Sequence, residues 1–439
     1  MVHSKKAWLA AAALVGASVL ALSGCSGDTE TTSSDSETTA VDETFESLDC
    51  ASDTTSADTL KVGTLLPVTG TLAFLGPPEI AGVGLAVADI AAAGDSACTF
   101  WTDSGDSTDM TVSSASADEL IDAQVSVVIG AASSSVSLNV VDKITGGSDP
   151  IVQISPANTA ADLSGYSDFY FRTAPPDTVQ GAALGSLISS DGNANIAFLV
   201  FNDTYGTGLR DVVEETVTAA GGTVTYGANG AGQEFPPGQT TFSSEVTAAI
   251  ATDPDAIVVI AFDETKAIVP ELVAQGWDMA KTYYTDGNTS DYSEVFDAGT
   301  LEGAQGTIPG ANPADDFKAR VSSWHEQVEG SALEDYSYSA ESYDAVILSA
   351  LAAVKGGATD PATIQANLAA VSGADGGEEC STYADCKALI EGGSDIQYVG
   401  ISGIGPFNEL NDPSSAFIGI YEFDANNTPV WVSAVEGQS

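Results

Sequence analysis

Residues 125–144, VSVVIGAASSSVSLNVVDKI, constrain the fold more than any other stretch of this 439-residue chain. The mostly β-branched stretch Val125–Ile129 suits a strand buried on both faces. Gly130-Ala131-Ala132 turns the backbone with little side-chain bulk, and Ser133, Ser134 and Ser135 follow. Val136, Val140, Val141 and Ile144 then recur at the spacing of one helix face. A strand, a small-residue turn and a serine-capped helix start bring together hydroxyls, free backbone N–H groups and the positive end of a helix dipole. The unit reads either as a βα turn with ordinary serine caps or as an anion site.

Similar units recur along the chain. LKVGTLLPVTG (60–70) is a strand entering a Gly/Pro turn, and Ile80–Ala93 has a helical apolar pattern. Thr99–Thr102 reads as a strand, Ala115–Ala123 as a helix, and Pro150–Ile154 as a strand ending in SPANT. A second series follows Phe171-Arg172-Thr173. Its helices are expected over Val179–Ser189, from Tyr205 to about Gly221, around Phe242–Ile250 and over Thr265–Gln275. Its strands are expected over Asn195–Phe201, Thr223–Tyr226, Ala256–Ala261 and Thr282–Tyr284. Alternation of this kind predicts parallel sheets with right-handed crossovers, and two series predict two doubly wound α/β lobes. Ligands of such sheets bind beyond the carboxyl ends of the strands. Three further helices are expected over Phe317–Val328, Ser339–Lys355 and Pro361–Ala370, and the tail from Ile396 reads as two short strands.

Charge excludes several partners. Twelve basic and 62 acidic residues give a formal net charge of −50. Such a surface repels nucleic acid and anionic lipid. Two of the twelve cations, Lys5 and Lys6, precede the apolar run Ala7–Leu22, which has the pattern of a secretory leader. Few cations remain to grip an anion, so backbone N–H groups must take that role. The leader ends in Leu22-Ser23-Gly24-Cys25, which resembles the bacterial lipoprotein cleavage box, and this implies that Cys25 is lipidated. Residues 1–24 then form a signal peptide. Residues 25–58, rich in Ser, Thr, Asp and Glu, read as a flexible acidic tether, with order beginning at Leu60. Without Cys25 the cysteines are even in number, as expected of an oxidising compartment, and Cys380 with Cys386 and Cys50 with Cys98 are the expected disulfides. Zinc is disfavoured by the spacing and by the lack of nearby histidine.

An enzyme finds little support. Outside the leader the one histidine is His325, on the polar stretch VSSWHEQVEG, so a serine–histidine–acid triad lacks a histidine near the loops at the strand ends. Gly206-Thr207-Gly208 is no dinucleotide fingerprint, and no phosphate-binding lysine loop is present. No cofactor is expected. Asp103, Asp106 and Asp109 lack the ligand spacing of a calcium loop and read as solvated.

The motifs KVGTLLPVTG, IGAASSSVS, PIVQISPANTAADL, FRTAPPDTVQG, YGTGL, PDAIVVIAF and YVGISGIGPFN stand in an order that resembles the substrate-binding proteins of ABC importers for branched-chain amino acids. The resemblance runs from about Leu60 to the C-terminus. It implies two α/β lobes joined by three crossover strands, the type I periplasmic-binding-protein fold, closing on ligand like a hinge. The lobes would comprise residues 59–176 with 309–400, and 177–308 with 401–439. By the same resemblance, Ser134 meets a ligand carboxylate, and Ser135 beside it is a further candidate ligand contact. Ala157 and Thr159 hold carboxylate and ammonium, and Asp286 meets the ammonium where branched-chain binders often carry glutamate. Tyr205, Phe262 and Tyr338 are the implied aromatic walls, and Leu75, with Phe74 beside it, is the first-loop contact. Each has a plainer reading: Ser134 as a helix cap, Asp286 as a surface acid, Tyr205 and Tyr338 as packing. Arg172 reads as structural, at the lobe crossover. The implied ligand is a small aliphatic amino acid and the implied partner an ABC permease, served by a monomer anchored to the membrane through lipid. A short amide or urea, or a sensory role on the same fold, are the alternatives.

Overall fold

In a computed structural model, residues 43–50 and 56–439 are described. The leader and Cys25 lie outside the described residues. Thr44–Ser439 form one compact unit. The chain alternates as expected: β1 (Leu60–Leu65), α1 (Gly76–Ala92), β2 (Ala97–Phe100), α2 (Met110–Asp122), β3 (Val127–Gly130), α3 (Ser134–Thr145), β4 (Val152–Ser155), β5 (Tyr170–Arg172) and α4 (Asp177–Ser190). It continues with β6 (Asn195–Val200), α5 (Thr204–Ala219), β7 (Thr223–Tyr226), α6 (Ser243–Ile250), β8 (Ala256–Ile260), α7 (Thr265–Ala274), β9 (Thr282–Tyr284) and β10 (Gln305–Pro309). The last part holds α8 (Asp315–Val328), α9 (Ser339–Gly356), α10 (Pro361–Ser372), β11 (Glu378–Cys380), α11 (Tyr383–Glu391), β12 (Ile396–Tyr398), β13 (Ser415–Phe423) and β14 (Pro429–Gln438).

Two sheets organise the unit. The first is wholly parallel, in the order β2-β1-β3-β4-β5. The second runs β14-β13-β10-β9-β8-β6-β7, with β13 antiparallel to both β10 and β14. Its parallel part repeats the first sheet's order, so each lobe has a switch point where neighbouring loops diverge: between β1 and β3, and between β6 and β8. The chain crosses between the lobes after β5, after β10 and between β12 and β13. These are the three crossovers of the type I fold.

β3 and β8 are buried at every position, consistent with their unbroken apolar runs. α1 and α9 are also buried for most of their length, packed on the first lobe's core. Among the described residues the helical stretch Ala73–Ala92 is long and apolar enough to cross a membrane, but it is 67% buried in the fold. Cys50–Cys98 and Cys380–Cys386 are both disulfide-bonded.

Three expectations need correction. Order does not begin at Leu60. Cys50 N–H donates to Thr99 O, Thr99 N–H donates to Leu48 O, and Phe45 and Leu48 pack on the first lobe's core. The disulfide fastens this segment along β2, so part of the expected tether is built into the fold. Asp103 and Asp106 are not solvated bystanders. Asp106 is buried and accepts from the backbone and hydroxyl of both Thr71 and Thr108, while Asp103 accepts from the N–H groups of Val68, Thr69 and Gly105. They fix the loop that carries Leu72 and Leu75. The tail holds two long strands, β13 and β14, besides the short β12, because it completes the second sheet rather than capping it.

Candidate functional site

The loops at the carboxyl ends of both sheets face each other. Leu72, Leu75, Ala132, Ser133, Ser134 and Ala157 from the first lobe meet Tyr205, Phe262, Asp286 and Gly287 from the second. Six expected residues are thus brought together. The cavity holds about 10 Å³, room for roughly one water, so a solute the size of an amino acid enters only when the lobes part.

On the first lobe, the turn after β3 depends on Gly130. Its φ is +127°, and a Cβ there would strike the Leu65 carbonyl oxygen. Ser133 caps α3 by accepting from Val136 N–H. Ser134 is not the cap. Its hydroxyl oxygen accepts from the N–H groups of Thr159 at 3.4 Å and Ala160 at 3.2 Å, which leaves its proton free to donate. The first N–H groups of α3 have no intrahelical acceptor. None of the cavity-lining residues is Lys or Arg. This end of the cavity is therefore made of a helix start and hydroxyls, with no cationic side chain.

On the second lobe, Asp286 is buried, 6% exposed, and not a surface acid. Oδ1 accepts from Tyr205 Oη at 2.7 Å and Gln180 Nε2 at 2.8 Å, and Oδ2 accepts from Tyr338 Oη at 2.7 Å. Burial pushes its carboxyl above the usual range, and these three donors pull it back. Tyr205 stacks on Phe262, with centroids 5.7 Å apart and planes 14° from parallel, so both rings wall one side.

Tyr338 and Thr159 are buried but do not line the cavity. Tyr338 precedes α9 with φ +59°, an uncommon conformation for a large side chain, and reaches across from the first lobe to Asp286. Ser135 also lies outside the cavity: its hydroxyl accepts from Thr204 N–H at 3.4 Å, a second contact between lobes. Phe74 is only partly buried. Arg172 is structural. Its Nε donates to Asp412 at 2.6 Å, and its Nη groups donate to Ala160 O and Ser164 Oγ. His325 is buried on α8, with Nδ1 2.6 Å from Ser331 O.

Sequence reasoning missed Gln180 and Asp177, one helical turn apart at the start of α4. Asp177 is fully buried, and neither carboxyl oxygen has a hydrogen-bond partner. Thr159 Oγ1 and Gln180 Oε1 are likewise unpartnered. The Asp177 N–H donates to Thr159 O at 2.6 Å, which holds the two side chains side by side. Burial raises Asp177 well above the usual range, and nearby Asp286 adds to the effect. These unpaired acceptors border Asp286, where a donor-rich group would satisfy them. The FRTAPPDTVQG motif carried both residues, but nothing in their spacing marked them.

The Tyr338–Asp286 bond is a latch between lobes. Tyr338→Phe should populate an open form, read as a larger radius of gyration in X-ray scattering of the unliganded protein; an unchanged radius would deny it that role.

A family model described as periplasmic binding protein matches residues 59–385. A leucine-, isoleucine-, valine-, threonine- and alanine-binding protein from Pseudomonas aeruginosa is 31% identical over 176 residues. That match spans 39% of this chain and 46% of the relative, less than half its length. A leucine-binding protein from Thermotoga maritima has a similar fold, with TM-score 0.69, 18% identity, and coverage of 86% of this chain and 98% of that one. The branched-chain amino acid transporter substrate-binding protein of Streptococcus pneumoniae, solved with isoleucine, gives TM-score 0.67 at 20% identity over 87% and 100%. An ABC-transporter solute-binding protein of Rhodopseudomonas palustris, solved with p-hydroxybenzoic acid, gives 0.68 at 17% identity over 87% and 98%.

Proposed function

Because this chain belongs to the periplasmic binding protein family, we propose that it captures a small amino acid, branched-chain or otherwise aliphatic, between its lobes and delivers it to an ABC importer. The observation that carries this reading is the buried Asp286 facing the start of α3 across an apolar cavity. The ligand's carboxylate would lie at the Ser134 hydroxyl and the free N–H groups, its ammonium at Asp286 and Thr159, and its side chain against Leu72, Leu75 and Phe262. A helix N-terminus favours the anion and a carboxylate the cation. Each lobe holds part of the ligand, so binding favours the closed state. The role is binding rather than catalysis, in an extracytoplasmic protein. The acceptor-rich surroundings of Asp286 count against a simple aromatic acid. A short amide or urea, or a sensory role on the same fold, remains the competing account.

Binding should be coupled to protons. Asp286 has a raised pKa, and an ammonium beside it favours the ionised form. Binding at acidic pH therefore releases a proton, and affinity falls as pH drops through the raised value. Calorimetry in buffers of different ionisation enthalpy reads this directly. Heats independent of buffer from neutral down to acidic pH would contradict an ammonium at Asp286.

We also propose that Cys25 carries the membrane anchor. Each buried CH₂ of its lipid adds about 0.8 kcal/mol, so two or more chains hold firmly. Cys25→Ala should move the protein from the membrane to the soluble fraction; unchanged fractionation would refute the anchor.

A further inference from the structure

A second cavity of about 220 Å³ lies between the lobes, beside the crossover that follows β10. Tyr338 separates it from the first: its hydroxyl bonds Asp286, and its ring lines the second cavity. Glu341 is 3% exposed, lines the cavity and makes no side-chain hydrogen bond to another residue. Its carboxyl lies over Gly310 in the crossover, where a Cβ would strike it. Asp335 presents a second carboxyl. Ser337 donates to Oδ1 through both its N–H and its hydroxyl, while Oδ2 is buried and unpartnered. Tyr421 and Trp431 form a corner, with centroids 5.4 Å apart and planes 86° to each other. Lys318 already places its ammonium 5.8 Å from the Tyr336 ring centroid at this cavity, held there by Asn312.

A buried carboxylate with few donors is costly, and one beside aromatic faces suits a cation that also has apolar surface. We propose that this cavity binds a small organic cation of the quaternary-ammonium class. Its charge would lie toward Glu341 and Asp335, and its methyl surface against Tyr421 and Trp431. Inorganic cations have no apolar surface to place on that corner.

Titrating the full chain with tetramethylammonium chloride, at ionic strength fixed with NaCl, tests this by calorimetry. The expected result is saturable one-to-one binding, weakened roughly tenfold or more by Glu341→Gln and by Trp431→Leu. Glu341→Gln keeps the buried shape, and Trp431 is partly exposed, so one variant can fail to fold without removing the test. Saturating leucine should leave tetramethylammonium bound. The proposal is overturned by absent saturation in NaCl, by unchanged affinity in folded variants, by equal binding of neutral tert-butanol, or by displacement of the probe by leucine.

Discussion

Asp286→Ala should weaken amino-acid binding by roughly one to two orders of magnitude. Charge-assisted hydrogen bonds contribute roughly 1.5–3 kcal/mol each, and about 1.4 kcal/mol is a tenfold change. The substitution also strands donors in the closed cleft, because Tyr205, Tyr338 and Gln180 all give hydrogen bonds to this carboxylate. Asp286→Asn separates the two effects: it keeps an acceptor for those donors but removes the charge. If charge toward an ammonium matters most, the asparagine variant binds nearly as weakly as the alanine one. Ser134→Ala should cost less, since the N–H groups at the start of α3 remain. Calorimetry on the three variants measures this. Unchanged affinity in folded Asp286→Ala would mean the ligand presents no ammonium there.

Arg172→Ala is expected to have the largest effect on stability. Arg172 and Asp412 form an ion pair with side chains 0% and 3% exposed. Removing one partner of a buried pair costs roughly 3–5 kcal/mol, because the other charge is left uncompensated. Arg172 also donates to Ala160 O and Ser164 Oγ, so its loss loosens the loop that carries Thr159. Urea denaturation should show a lower midpoint with a similar slope. A midpoint within error of the parent would deny the pair a structural role.

What the sequence disclosed follows the reach of each signal. Alternating β-branched runs and helical periodicities revealed both lobes, because strands buried on both faces must be apolar throughout. β10 escaped because QGTIP is short and holds glycine and proline; its place is set by pairing with β9 and β13. Ser134, Ala157, Tyr205, Phe262, Asp286 and Leu75 were legible through a resemblance of motifs, not through spacing, and the structure gathers them. Three serines in a row offer three candidates, and only the turn geometry brings Ser133 and Ser134, but not Ser135, to the cavity wall. Asp177 and Glu341 were invisible for a different reason. In a chain with 62 acidic residues, an acid gives no sign of being buried until the fold is known.

The central claim is that one ligand presents a carboxylate to α3 and an ammonium to Asp286. The most direct measurement is calorimetric titration of the protein with leucine, with leucinamide, which lacks the carboxylate, and with 4-methylpentanoate, which lacks the ammonium. The account predicts that leucine binds and that each analogue binds at least roughly tenfold more weakly, since each forfeits one charge-assisted end. If 4-methylpentanoate binds as tightly as leucine, Asp286 meets no ammonium and the amino-acid reading is wrong.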